Sequence, residues 1–174
     1  HIEKCYSNFI RTFIFRRDPM PQKEPNYWLM KSEPDAYSID SLKHDGVTLW
    51  DGIRNYQARN FMRKMSIGDK VFFYHSNCKP PGIVGLMKVI DLGIVDPTQF
   101  EKESKYYDPK SNIDSPRWDC VKVEYVFKSA KILSLDELKK RFREEELLVV
   151  KKGNRLSIVP IRIDIAKVIL EIIK

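Results

Sequence analysis

No stretch of this sequence approaches the roughly 20 consecutive apolar residues that a membrane-spanning helix needs, so no spanning segment is expected. Cysteine is scarce. Cys5, Cys78 and Cys120 are odd in number and far apart, with no CxxC pair and no histidine at zinc-site spacing. That pattern points to a reducing, intracellular compartment and to neither a disulfide framework nor a metal. The phosphate loop GxxxxGK(S/T), the dinucleotide turn GxGxxG, the zinc helix HExxH and the nucleophile elbow GxSxG are all missing. From Met20 onward the only histidines are His44 and His75. A hydrolase or transferase would have to be built from His75 with Ser76 or Cys78, and nearness in sequence is not the spatial adjacency such a dyad needs. No cofactor and no catalytic turnover are expected. Internal repeats and low-complexity tracts are also absent.

What remains is an ordinary globular composition, 43% hydrophobic and 32% charged, in 174 residues, enough for one core. Lys and Arg number 31 against 24 Asp and Glu, a net charge of +7 that favours a polyanionic partner such as nucleic acid. Residues 1–25 read as an extension and linker outside the fold. Arg11, Arg16 and Arg17 lie there among Phe9, Phe13 and Phe15, as in an organelle-targeting leader, but so do Glu3 and Asp18. The folded part is expected over residues 26–174, as a monomer in cytoplasm or nucleus.

Along that part, Tyr27-Trp28-Leu29-Met30-Lys31 has the character of a buried strand, ended where Pro34 blocks the ladder. A short helix is expected from Ser38 with Ile39 and Leu42 inward, and a turn at Asp51-Gly52. Ala58, Phe61, Met62 and Met65 recur at helical spacing from about Asn55, with Gly68 placed as a left-handed C-cap. Lys70 to Ser76 and Ile83 to Ile90 form a strand, loop, strand unit. Val121, Val123, Tyr125 and Phe127 alternate with Lys122, Glu124 and Val126 as in a half-buried strand over Trp118 to Phe127. Ser134 and Glu137 make a capping box that opens a helix to about Arg143. Leu147 to Val150 and Leu156 to Val159 suggest a hairpin, and a terminal helix starts near Asp164. Five or six strands with short helices, and no regular strand-helix alternation, predict a mixed α+β fold in which a small closed or nearly closed barrel fits best.

The densest segment chemically is Trp50-Asp51-Gly52-Ile53-Arg54-Asn55-Tyr56-Gln57-Ala58-Arg59-Asn60. Arg54, Arg59, Asn55 and Gln57 are residue types that pair bidentately with base edges and phosphates, and Trp50 and Tyr56 are types that stack on bases. An unliganded reading of the same residues has Asn55 capping a helix, Arg54 and Arg59 solvated and Trp50 in the core.

Trp28-Leu29-Met30-Lys31-Ser32-Glu33-Pro34, the Trp50 to Asn60 segment, and Phe73-Tyr74-His75-Ser76-Asn77 resemble the EVE domain family. The resemblance continues through Pro81-Gly82-Ile83-Val84-Gly85, Asp96-Pro97-Thr98-Gln99-Phe100, Tyr107-Asp108-Pro109, Pro116-Arg117-Trp118 and Arg155-Leu156-Ser157, from Asn26 to about Pro160. It implies a PUA-like barrel with helices, related to YTH and SRA-type readers, and a role in recognising modified DNA, or alternatively RNA. Such readers hold an extruded base in an aromatic-walled pocket. The resemblance implies Trp50 and Trp118 as aromatic walls, and Lys31-Ser32 is similar to the Lys-Ser that opens the YTH pocket. Trp28 is a further candidate, although its place at the start of a core strand favours packing. Tyr74 and His75 alternate faces, so at most one of them can look into a given cavity. A protein-interaction adaptor is the remaining alternative, and it requires an exposed apolar patch in place of a polar-rimmed cavity.

Overall fold

The computed structural model describes residues 23–174, so Cys5 and the proposed leader over residues 1–19 lie outside the described residues. The elements in order are β1 (Tyr27–Ser32), α1 (Ile39–Asp45), β2 (Val47–Leu49), α2 (Tyr56–Met62), β3 (Lys70–His75), β4 (Gly82–Val95), β5 (Asp119–Ser134), α3 (Leu135–Arg141), β6 (Ile158–Ile161) and α4 (Ile163–Ile173), with 3-10 turns at Pro97–Phe100 and Leu148–Val150. Six strands form one sheet in the order β2-β5-β4-β3-β1-β6. β1 runs parallel to β3, and the other pairs are antiparallel.

Alternation along the central strands divides the core in two. Tyr27, Leu29, Phe72 and Tyr74 face one apolar cluster, covered by Leu138 of α3 and by Ile165, Ile169 and Ile173 of α4. Trp28, Met30, Val71 and Phe73 face the other, which also holds Trp50, Ile53, Val121, Val123 and, from α2, Ala58 and Met62. α2 touches both β5 and β6, which stand far apart in the ladder, so the sheet curls around this second cluster. The hydrogen-bonded ladder itself ends at β2 and β6 and does not close. Register shifts along the β4–β5 pair mark bulges, which sharpen twist and let the two long strands wrap.

Caps fall where the sequence puts them. Ser38 and Ser134 each form a reciprocal capping box at the start of α1 and α3, and the Asn55 side chain accepts from the Ala58 amide to start α2.

Three local expectations need correction. α2 stops at Met62, and Gly68 (φ 92°) shapes the turn into β3, its amide donating to the Val89 carbonyl. Turn bonds from Lys64 to Phe61 and from Met65 to Met62 replace the continuing helix. The hairpin across Lys151 to Asn154 does not form, because Leu148–Val150 is a 3-10 turn and β6 pairs with β1. Asn154 folds that loop on itself, donating to the Leu148 carbonyl and accepting from the Leu156 amide. Finally, β5 runs on to Ser134, because β4 offers it a partner edge beyond the residues where apolar and polar side chains alternate.

Candidate nucleic-acid interface

One cavity of about 630 Å³ opens between the end of β1, the β2 to Ile53 segment and the connection from Pro97 to Trp118. Tyr37, Trp50 and Tyr106 supply its aromatic surface, and Lys31, Lys105 and Arg155 its cations, against Glu33 and Asp51. Ser32, Ser76 and Ser157 add hydroxyls. Its size lies within the range of roughly 300–1,000 Å³ usual for small-ligand sites.

Trp50 is held from both sides: its amide donates to the Val121 carbonyl, and its ring meets Phe73 edge-on at 5.2 Å. The Lys31 amide donates a hydrogen bond to the Ser157 carbonyl, its ammonium lies 5.7 Å from the centroid of the Tyr74 ring, and burial pushes that ammonium below the ordinary lysine range. Ser32 Oγ donates to the Tyr37 carbonyl at 2.7 Å. Gly52 is the hinge of the wall. It has φ +78°, and a Cβ there would lie 2.6 Å from Cζ of Tyr106, so only glycine admits that ring.

The connection carrying Tyr106 is anchored by a buried polar network. Asp96, fully buried, accepts from the Gly52 amide, from Thr98 and from Arg54 Nη1. Desolvation opposes its charge, but the bonds from Thr98, Arg54 and Gly52 outweigh it and hold the carboxyl below the usual range. Gln99, also fully buried, donates to the Asp96 and Trp118 carbonyls and accepts from Ser111 and from the Arg117 and Trp118 amides. Arg54 adds bonds to the carbonyls of Tyr106 and Ile53 and to Thr98 Oγ1.

Of the residues singled out from sequence, Lys31, Ser32, Trp50 and Ser76 meet in this cavity. The others stand elsewhere. Trp28 is core, 5% exposed, its indole N–H donating to Asp69 Oδ2. Trp118 does not line the cavity: it is 5% exposed, stacks on Tyr56 at 5.0 Å, donates its indole N–H to Asp108, and has Arg54, Arg59 and Arg117 over its ring. Arg59 donates to the Arg117 carbonyl, and its buried Nε has no hydrogen-bond partner among the described residues. Asn55 is spent as a helix cap, while Tyr56 and Gln57 are exposed on the first turn of α2. Tyr74 points into the cluster under α3 and α4, and His75 turns to α1, accepting the Ile39 amide at Nε2. Asn77, at φ 51°, shapes the β3–β4 loop. Sequence reasoning did not single out Asp51, Tyr106, Lys105 or Arg155 as wall residues. The Asp96, Asp108 and Arg155 words of the resemblance flank them, but nothing in one strand's periodicity brings them together.

A mixed sheet curled around an apolar cluster is a PUA-like α+β fold, and here it carries a ligand-sized cavity lined by aromatic residues and cations. The EVE domain model matches residues 26–172, and the chain belongs to that family. It is similar to thymocyte nuclear protein 1 from rat, 51% identical over 125 residues that are 66% of this chain and 55% of that protein. The human protein of the same name is 44% identical over 154 residues, 78% of this chain and 68% of that one. The chain thus spans about half to two thirds of the length of these curated relatives. Among solved structures, a Pseudomonas putida protein aligns at TM-score 0.81 with 45% identity, covering 85% of this chain and 99% of that one. Human THYN1 in complex with 5-methylcytosine-containing DNA aligns at 0.78 with 41% identity, covering 84% and 96%.

Proposed function

We propose that this chain is a non-enzymatic reader that binds DNA and accepts one modified base, cytosine or adenine, extruded into the cavity bounded by Trp50 and Tyr106. The observation that carries this reading is that three aromatic residues, Tyr37, Tyr106 and the largely buried Trp50, line the same cavity as Lys105 and Arg155. Extrusion costs a few kcal/mol, and roughly 1–3 kcal/mol per aromatic stack together with edge hydrogen bonds can offset it. The exposed cations of Lys105 and Arg155 suit the flanking phosphates. The complex of the human relative with 5-methylcytosine-containing DNA supports the same chemistry. In this reading Lys31, Ser32, Trp50 and Ser76 face the nucleotide, whereas Arg54, Arg59 and Trp118 hold the wall from behind.

Two observations favour binding over turnover. His75 uses Nε2 to accept the Ile39 amide, and no described hydrogen bond joins it to Ser76 or Cys78. Desolvation, then Asp35, raises the Cys78 thiol, the opposite of an activated nucleophile. A nuclear or cytoplasmic setting and a monomeric state belong to the same proposal. Fluorescence anisotropy at one stated salt concentration tests it, using matched DNA and RNA oligonucleotides with or without one modified base. Tighter binding of modified DNA, by about 10-fold or more, is expected. Equal affinity for plain and modified strands, or preference for RNA, overturns the reading.

A further inference from the structure

Three guanidiniums crowd one indole. Arg54, Arg59 and Arg117 stand over the Trp118 ring at 5.4, 5.5 and 5.8 Å, and Arg59 and Arg117 also stand over the Tyr56 ring at 4.7 and 5.6 Å. Among the described residues only two carboxylates answer them, Asp96 on Arg54 and Asp108 on Arg117, while Arg59 pairs with none. No Asp or Glu occurs from Gly52 to Gly68, so α2 supplies no counter-charge of its own, and Asp119 beside it is taken by Arg63.

The donors of Arg59 are equally underused. Nη1 donates to the Arg117 carbonyl at 2.7 Å, Nη2 reaches only the exposed Asn60 Oδ1 at 3.4 Å, and the buried Nε has no hydrogen-bond partner among the described residues. A desolvated N–H without an acceptor is destabilising, and aromatic rings ease the cation without accepting in its place as an oxygen would. One anion with several acceptor oxygens would balance the charge and take the spare donors.

We propose that Arg59 and Arg117, seated on Tyr56 and Trp118, bind a backbone phosphate of the DNA strand beside the extruded nucleotide. A guanidinium presents a planar fork that matches phosphate oxygens in pairs, and an aromatic surface beneath it fixes the orientation of that fork. Arg117 is further oriented by Asp108 and by donating Nη2 to the Tyr56 hydroxyl. Tyr56 and Asn60, both exposed, border the pair. Neither arginine lines the cavity, so this is an attachment point separate from Lys105 and Arg155. It is nevertheless close to the cavity wall, because Arg54 bridges the two: its guanidinium lies 5.7 Å from the Tyr106 ring and 5.4 Å from the Trp118 ring, and its Nε donates to the Tyr106 carbonyl. The register of the phosphate against the base rests on the proposed function, whereas the contact itself needs no base in the cavity.

A methylphosphonate, in which a methyl group replaces one charged phosphate oxygen, tests the assignment position by position. A single substitution is walked through both sides of 5-methylcytosine in one DNA duplex, and anisotropy is read at fixed salt with the full chain. The intact protein is expected to lose about 10-fold or more in affinity at one position, the scale of a charge-assisted hydrogen bond. Arg59→Gln should bind the all-phosphate duplex about 10-fold more weakly and lose nothing further at that position. On plain and modified duplexes alike, its slope of log affinity against log salt should be smaller by about one unit. Arg59→Lys, which keeps the charge without the fork, should keep the slope and be less sensitive at that position than the intact protein. A purely structural Arg59 would lower the melting temperature on substitution and leave the salt slope and the positional pattern as they are, and that result overturns the proposal. So does a folded Arg59→Gln that matches the intact protein at every position. Should Arg59→Gln melt below the assay temperature, Arg59→Lys decides, and the intact positional pattern in that variant overturns the assignment. An intact protein that does not distinguish modified from plain DNA overturns the proposed function, and the salt slopes on plain DNA then still decide the arginine site.

Discussion

Arginine in an aromatic, amide-rich segment can serve a ligand or the protein, and the two uses leave different marks. Arg54 directs four N–H groups at acceptors of its own chain, one of them the fully buried Asp96. Lysine cannot reproduce that planar fork. Arg54→Lys is expected to cost at least about 2 kcal/mol in urea denaturation and to leave the salt slope of DNA binding unchanged. Lys105, exposed on the cavity rim, is expected to behave in the opposite way. Lys105→Ala should leave the denaturation midpoint alone and reduce the slope of log affinity against log salt by about one unit. If Arg54→Lys shifted the salt slope and spared stability, the division between wall and ligand contact would be misassigned. Trp118 follows the same logic as Arg54, because its indole N–H is committed to Asp108 and its ring to Tyr56.

Elements in this protein are joined to the sheet by single polar contacts that local sequence does not advertise. α1 is anchored at its start by His75, which accepts the Ile39 amide at 3.1 Å from the end of β3. Desolvation, reinforced by Lys128 and opposed by Asp40, lowers the His75 imidazole below its ordinary value of 6.5. As pH falls past about 6.5 the unfolded chain takes up this proton before the folded one does. The contribution of His75 is therefore fully present above that pH and is lost as pH falls towards the folded value. Melting temperature should fall between pH 7.5 and 5.5. His75→Gln, which keeps an acceptor and does not titrate, should show a shallower fall over the same window. An identical fall in both proteins would remove His75 as its cause. The connection after β4 shows the same principle on a larger scale, since Gln99 bonds both its ends, at Asp96 and at Trp118, while Arg54 holds the Tyr106 carbonyl between them.

At the scale of the molecule, both apolar clusters assemble, among the described residues, from Tyr27 onward. A chain beginning at Met20 is thus expected to keep its melting temperature and its preference for modified DNA. A drop in melting temperature large enough to unfold it at 25 °C would place part of the leader in the fold. The sequence by itself determined the strands whose alternation is strong, such as Tyr27–Ser32, the serine-capped helices, and, through ordered words such as Trp50 to Asn60, the family. Those signals are local: a pleat of period two, a cap satisfied three residues on, a run of side chains in fixed order. Where local signals ended, the pattern was silent, as at Gly68, at the Lys151 to Asn154 loop, whose following strand pairs with β1, and in the second half of β5, which β4 templates across the sheet. The cavity belonged to that second kind. Which of Trp28, Trp50 and Trp118 lines the cavity depends on how the sheet curls and on where the connection after β4 returns. Tertiary structure alone decided it, by burying Trp28 on Asp69, turning Trp118 to Asp108, and laying Tyr106 on Gly52 beside Trp50 and Asp51.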